Sequence, residues 1–442
     1  MSGVAAAKAL SLKGRQVVAC DLKTRDELGT LVEELESLGV RVVTGGYPEV
    51  NRETTDLVVT SPGVPRTIPP LKQAEDLGIP VWGEVELAYR FSPAPFVGIT
   101  GTNGKTTTTA LLGQMLQDAG RQVLVGGNIG VPLVLAVESL TPQHLVVAEM
   151  SSFQLEGIHQ FRPRVAAILN VTPDHLDRHH TVEEYAQVKS RIFMNQGPED
   201  FAVFNHDCPV CRGMVDKTRG SVIRFSRLEQ LDEGVMVRDG QVVIRWKGRE
   251  DVVLRPEEIY IRGAHNLENA MAAIACATAL GVPADSLART LREFPGVAHR
   301  LERVAEIDGV LYINDSKGTN PDSTIKALES FTEPIVMIAG GKNKGSDFSQ
   351  LAGLIRERVK CLVLLGQAAP DIHEAVARVG FKDIYRTSTF EEAVMKASSL
   401  AEPGDVVLLS PACASWDMFR NYEERGDLFK SLVGSIAEEK KV

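Results

Sequence analysis

The segment that most constrains this chain runs from residue 96 to residue 116. An apolar run, Phe96-Val97-Gly98-Ile99, meets the turn Thr100-Gly101-Thr102-Asn103-Gly104-Lys105-Thr106-Thr107, which leads into a helical pattern with Ala110, Leu111, Met115 and Leu116 on one face. Strand, glycine-rich turn and helix in that order make a phosphate cradle. The glycines let successive N–H groups converge on phosphate oxygens, and the helix N-terminus adds partial positive charge. Lys105 would reach the β- and γ-phosphates, and the Thr106 hydroxyl would bind Mg²⁺. Ile99 stands where the strict G-x-x-x-x-G-K-T pattern has its first glycine, so the loop is a variant. A glycine-rich turn with an incidental lysine fits the strand-loop-helix context less well.

The rest of the chain repeats the alternation of strand and helix. Val17 to Asp21, a helical stretch Glu27 to Leu38, Val40 to Thr44, and Asp56 to Thr60 predict βαβ units, with Ser92-Pro93-Ala94-Pro95 as a linker. Further strands are predicted at Leu145 to Ala148 and Val165 to Leu169. From about 221 to 262 short strands alternate, and Asp239-Gly240 between two of them predicts a tight hairpin. After Phe294-Pro295-Gly296 the alternation returns through Val310 to Ile313, Ile335 to Ala339, Cys361 to Leu365 and Val406 to Leu409. The predicted fold class is α/β in three domains: a Rossmann-like domain over 1–91, a central P-loop ATPase domain with a small extra β-sheet over 92–296, and a Rossmann-like domain over 297–442. A length of 442 residues agrees with roughly three domains.

Composition narrows the partners. The chain has 48 Lys and Arg against 58 Asp and Glu, a net charge of −10, which disfavours a nucleic acid held through its phosphates. No apolar run reaches the ~18–20 residues that span a bilayer, and no signal-peptide layout opens the chain. A cytoplasmic monomer without membrane insertion is expected. The six cysteines are too scattered for a disulfide framework. Cys208-Pro-Val-Cys211 has the spacing of half a zinc site, but no second pair follows, and the bland reading is a surface turn.

Other polar clusters follow predicted strands, where parallel sheets collect ligands. Glu149 ends the strand Leu145 to Ala148 and could hold a metal. Asn170 to His180 concentrates acids and imidazoles, with His175 as a metal or substrate contact against the reading of a polar surface loop. Lys189, by spacing alone, is a solvated lysine. Asn314-Asp315-Ser316-Lys317-Gly318-Thr319-Asn320 and Gly340-Gly341-Lys342-Asn343-Lys344-Gly345 read equally well as anion-facing loops or as satisfied turns.

Together these segments resemble the Mur ligase family, the ATP-dependent enzymes that build the peptide stem of the bacterial cell wall. Gly101 to Thr107 resembles the phosphate loop shared by the family and by folylpolyglutamate synthase. Glu149-Met150-Ser151-Ser152-Phe153-Gln154-Leu155 and Leu409-Ser410-Pro411-Ala412-Cys413-Ala414-Ser415 resemble the branch that adds D-glutamate. The resemblance implies ATP and two Mg²⁺ ions as cofactors, one ion held by Thr106 and Glu149 and the other by His175, with Lys189 carbamylated into a metal-binding anion. It implies catalytic roles for Lys105, His175 and Lys189. Nucleotide contacts are implied at Gly101, Thr102, Asn103, Gly104, Lys105, Thr106 and Thr107, at Asn266 and Asn269 on the adenine side, and at Arg300, Asp315 and Lys317. Thr319, Lys344, Ser415 and Tyr422 match positions that hold D-glutamate. Asn128 matches a muramoyl contact, and Asp21, Ser61 and Gly63 remain for the uridine end. The implied substrates are UDP-N-acetylmuramoyl-L-alanine and D-glutamate, joined through an acyl phosphate as the third domain closes on the second.

Two departures from the family pattern stand out. Asn343 replaces the acid that usually precedes the lysine at 344. The family opens with a strand and a glycine-rich loop, whereas Met1-Ser2-Gly3-Val4-Ala5 falls already inside that loop, so the expectation is that the coding region upstream specifies the first strand. Rival readings are a folylpolyglutamate synthase-like ligase and a P-loop nucleotide switch. Asn343-Lys344-Gly345-Ser346 puts serine where a guanine-reading motif needs aspartate.

Overall fold

The computed structural model describes residues 2–440, and Met1 of the expected opening loop lies outside them. The described chain divides into two compact units, one of residues 2–258 with Glu268–Arg292, the other of Ile259–Leu267 with residues 293–440.

In the first unit, β1 (Val18–Asp21), β2 (Arg41–Thr44), β3 (Val58–Thr60) and β4 (Val81–Gly83) form two separate parallel pairs, β1 with β2 and β3 with β4. Ser2–Leu12 is a helix, not the loop expected there, and its alanines Ala5, Ala6 and Ala9 are buried. The helix expected over Glu27 to Leu38 is broken into Arg25–Leu28 and Thr30–Ser37, because Gly29 between them takes φ +56°. Helix Glu84–Phe91 is tied to the central sheet by the buried Glu86 carboxylate, which accepts from the N–H groups of His159, Gln160 and Phe161.

The central region supplies β5 (Phe96–Thr100), β6 (Val123–Gly127), β7 (Leu145–Glu149), β8 (Val165–Ile168), β9 (Phe201–Asn205), β10 (Ser221–Ser226), β11 (Gly234–Arg238), β12 (Gln241–Trp246) and β13 (Arg249–Leu254). Their order is β13-β12-β11-β10-β9-β8-β5-β7-β6, parallel from β11 to β6. The strands around 221–262 do not make an extra sheet of their own. They extend the central sheet, because β11 pairs in parallel with β10 before the chain turns into two antiparallel hairpins. Asp239-Gly240 turns the first hairpin with both φ positive, as predicted, and Lys247-Gly248 turns the second the same way.

The second unit holds β14 (Glu302–Ile307), β15 (Val310–Asn314), β16 (Ile335–Gly340), β17 (Val359–Leu365), β18 (Ile384–Arg386) and β19 (Val406–Leu409), in the order β14-β15-β19-β16-β17-β18. Only β14 is antiparallel. Alternate residues of β16 serve two cores: Ile335, Met337 and Ala339 pack into one, Val336 and Ile338 into the other. Burial on both faces explains why these strands read as unbroken apolar runs. Among the described residues, no helix is long and apolar enough to cross a membrane.

Candidate active site

The register of the central sheet brings the first cluster together. Ile99 lies opposite Glu149, Gly127 lies opposite Glu149 on the other side, and Thr100 lies opposite Ile168, so the loops after β5, β6, β7 and β8 all leave one edge. The phosphate loop occupies 101–104, and Lys105 begins the helix Lys105–Asp118. Gly104 has φ +84°, and a Cβ there would lie 2.1 Å from Asn269 Oδ1 on helix Ala264–Ala279, so glycine suits the turn. Lys105 Nζ donates to the Gly101 and Thr102 carbonyls at 2.9 and 2.8 Å, which folds the ammonium over its own loop.

Asn170, just past β8, holds this loop from outside. Its carbonyl accepts from Thr102 N–H at 3.0 Å, its Oδ1 accepts from Asn103 N–H at 2.8 Å, and its Nδ2 donates to the Asn103 carbonyl. Thr102 Oγ1 and Thr172 exchange two further bonds. No sequence motif marks Asn170 beyond its place at a strand end.

Glu149 is 2% exposed. Its Oε1 accepts from Asn128 Nδ2 at 2.9 Å, while its buried Oε2 has no hydrogen-bond partner among the described residues. A buried carboxylate oxygen without a donor is costly, and a cation satisfies it. Thr106 is buried at the start of the adjoining helix. The residues present therefore fit a Mg²⁺ ion.

Lys189 reverses its bland reading. It sits on helix Val182–Ser190, is 1% exposed, donates to the Gly101 carbonyl at 2.8 Å, and lies 4.4 Å from the Tyr185 ring centroid. Burial pushes its ammonium well below the ordinary lysine range, and the nearby Lys105 charge adds to this. Burial likewise raises Tyr185 to about 12. His175 has φ +52° and an exposed side chain, its ring 4.9 Å from that of Phe153 and 3.6 Å from the Asp174 carboxylate.

Elsewhere in this unit, Ser61 and Gly63 lie in the turn after β3, where Ser61 accepts from Val64 N–H at 3.0 Å. Ser61 also lines a pocket with Thr60, Arg66, Phe153 and Gln154. Asp21 ends β1, exposed, and accepts from Lys23 N–H.

The second unit gathers its own cluster, since Asn314 and Ile338 both lie opposite Leu409, so the loops after β15, β16 and β19 leave together. The buried Asp315 accepts from Ser410 Oγ at 2.7 Å and from Leu301 N–H at 3.3 Å. Burial raises it to about 6 despite the attraction of Arg300. Arg300 Nε is buried without a hydrogen-bond partner among the described residues. Lys317 Nζ lies 5.4 Å from the Tyr422 ring centroid, and Thr319 N–H donates to the Lys317 carbonyl. Ser415 is buried, and next to it the exposed Trp416 receives Lys344 over its ring at 5.6 Å. Asn343 caps Ser346 N–H and donates to Asp371, so it shapes the loop before Lys344 without supplying a charge. Asn266 donates to the Arg262 carbonyl at 2.8 Å, at the start of helix Ala264–Ala279.

Arg425 escaped the sequence reading, because nothing local distinguishes it within helix Tyr422–Glu439. It is 1% exposed, donating to Ser316 Oγ and carbonyl at 3.0 and 2.8 Å and to the Cys413 carbonyl. It thereby joins the loop carrying Lys317 to the one carrying Ser415. Arg425→Met should lower stability by about 2–4 kcal/mol, because it strands those acceptors. Chemical denaturation measures this.

Asp315 gives a pH prediction. Its folded pKa lies above that of an unfolded aspartate, so the folded state binds more protons between about pH 4 and 6, and stability falls as pH rises through that window. The contribution is about 3 kcal/mol at most. Asp315→Asn should flatten this part of the stability profile, read as thermal midpoint against pH.

The chain that carries these clusters is similar to known proteins. The chain matches the Mur ligase middle domain over residues 99–277 and the Mur ligase glutamate ligase domain over 299–413. The chain belongs to the Mur ligase family. It is 56% identical to the UDP-N-acetylmuramoylalanine--D-glutamate ligase of Pelotomaculum thermopropionicum, over 98% of this chain and 96% of that one. It is 44% identical to the protein of the same name from Clostridioides difficile, over 98% and 96%. The fold of this Mur ligase is that of the UDP-N-acetylmuramate-alanine ligase of Thermotoga maritima, with TM-score 0.60, 18% identity, and 98% and 97% of the two chains covered. As a member of the family it is an ATP-dependent ligase.

Proposed function

We propose that this Mur ligase joins D-glutamate to the alanyl carboxylate of UDP-N-acetylmuramoyl-L-alanine, in cell-wall precursor synthesis. The observation that carries the reading is near-full-length identity, at 44–56%, to ligases named for that reaction. The clusters at the two sheet edges support it, since each offers the groups that anionic substrates require.

The alanyl carboxylate oxygen attacks the γ-phosphorus of ATP, and ADP leaves. The D-glutamate nitrogen then attacks the acyl carbon, and phosphate leaves with the former carboxylate oxygen. Amides of the phosphate loop and the start of helix Lys105–Asp118 bind the phosphates. Lys105 Nζ, released from the Gly101 and Thr102 carbonyls, neutralises charge on the transferred group. Thr106 and Glu149 would hold one Mg²⁺, and His175 with a carbamylated Lys189 a second; bound there, the ions supply charge neutralisation at the phosphates. The depressed lysine supports the modification, since carbamate forms on a neutral amine, and the buried Glu149 orients through Asn128.

On this reading Asn266 and Asn269 meet the adenine side, and Arg300, Asp315 and Lys317 the nucleotide. Thr319, Lys344, Ser415 and Tyr422 hold D-glutamate. Asp21, Ser61 and Gly63 face the uridine end, and Asn128 the muramoyl group. The active unit is a single chain, working in the cytoplasm where UDP-linked precursors are made.

An acceptor panel tests the reading. With ATP, Mg²⁺ and UDP-N-acetylmuramoyl-L-alanine, phosphate release should require D-glutamate and ignore L-glutamate, L-alanine and folate substrates. Release indifferent to D-glutamate contradicts it.

A further inference from the structure

Two peptide groups of the phosphate loop carry the Lys105 ammonium. Lys105 Nζ donates to the Gly101 carbonyl at 2.9 Å and to the Thr102 carbonyl at 2.8 Å, and the Gly101 carbonyl also accepts from Lys189 Nζ at 2.8 Å. A trans peptide is planar, with its N–H pointing away from its C=O, so whatever holds the N–H fixes where the carbonyl points. In both peptides that partner is Asn170. Thr102 N–H, which shares a plane with the Gly101 carbonyl, donates to the Asn170 carbonyl at 3.0 Å. Asn103 N–H, which shares a plane with the Thr102 carbonyl, donates to Asn170 Oδ1 at 2.8 Å, and Asn170 Nδ2 donates to the Asn103 carbonyl at 3.1 Å.

Asn170 itself stands on a firm base. Leu169, between it and the end of β8, donates its N–H to the Thr100 carbonyl at 3.0 Å and accepts at its own carbonyl from the buried Asn205 Nδ2 at 2.8 Å. A Cβ on Gly101 would lie 3.0 Å from Leu169 Cβ and 3.4 Å from Asn170 N, so the glycine lets this segment close on the loop. One residue, far from Lys105 in the chain, thus orients two acceptors of that lysine.

We propose, on the reading that Lys105 neutralises charge on the transferred group, that Asn170 is a positioning residue for that lysine, acting through these two peptide planes. With both carbonyls aimed at it, the ammonium is held at one place over the loop and moves from there to the developing charge without a search among rotamers. Loss of the Asn170 carboxamide frees one end of the Thr102–Asn103 peptide while Lys105 still pulls on the other, so the plane rotates and carries the ammonium with it. The Gly101–Thr102 peptide keeps its bond to the Asn170 main chain, so the loop stays folded and nucleotide still binds. The effect therefore falls on phosphoryl transfer rather than on nucleotide affinity.

Steady-state kinetics of Asn170→Ala in the full chain tests this, with ATP varied at saturating UDP-N-acetylmuramoyl-L-alanine and D-glutamate. The expected result is a kcat about tenfold lower, with an ATP KM changed by less than about threefold. The two losses should not add. Lys105→Ala combined with Asn170→Ala should turn over within about threefold of Lys105→Ala alone, because the group to be placed is gone. Asn170→Leu, which keeps the volume and lacks the amide, takes the same measurements if the alanine variant does not fold. A normal kcat, an ATP KM raised as far as kcat falls, or fully additive losses in the double variant would each overturn the proposal alone. Lys105→Ala with a normal kcat would overturn the reading beneath it as well.

Discussion

Lys105→Ala should reduce turnover by on the order of 10³-fold, about 4 kcal/mol of transition-state stabilisation. The lysine donates to two carbonyls of its own loop, Gly101 and Thr102. Those bonds position the ammonium, and the Gly101 carbonyl keeps Lys189 Nζ as a donor when the Lys105 side chain is removed. The fold should therefore survive, with a thermal midpoint close to that of the unaltered protein. The loss lands on the step in which charge spreads over the transferred phosphoryl group, so kcat should fall far more than the ATP KM rises. Steady-state kinetics with ATP varied at saturating cosubstrates separates the two. A variant with normal kcat would remove the phosphate loop from the chemistry.

Lys189→Ala should cost a similar factor, on the order of 10²–10³-fold, if the buried amine carries a carbamate that helps to hold a metal. The informative companion is Lys189→Arg. A guanidinium remains charged in any protein environment and forms no carbamate, so arginine should rescue nothing, although it conserves the positive charge. Arginine would also place a permanent cation beside Lys105, where burial already disfavours one. The unaltered enzyme should lose activity when carbon dioxide and bicarbonate are stripped from the buffer, and regain it when bicarbonate returns. Indifference to bicarbonate together with an active arginine variant would leave Lys189 as a structural donor to the Gly101 carbonyl alone.

The sequence exposed the parts of this enzyme whose physics is local. Gly101 to Thr107 announces itself because a glycine turn between strand and helix has few other uses, and Asp239-Gly240 because its hairpin requires two positive φ values. The two-sided burial of β16 made the α/β class readable from apolar runs. What stayed hidden depends on distant residues. Lys189 looks solvated within its own helix but is buried where the phosphate loop and Tyr185 meet it. Arg425 and Asn170 act across loops far apart in the chain. The strands after 221 looked like a separate sheet, because no local pattern reveals that β11 pairs with β10. Gly29 broke a helix that periodicity alone continued.

The account's central claim is that the terminal phosphoryl group of ATP passes to the alanyl carboxylate and not to water. That carboxylate, labelled with heavy oxygen at both positions, offers the most direct measurement. During turnover with ATP and D-glutamate, the released phosphate should carry one heavy oxygen per amide bond formed. Phosphate released free of label while the amide forms, the displaced heavy oxygen leaving by another route, would contradict it.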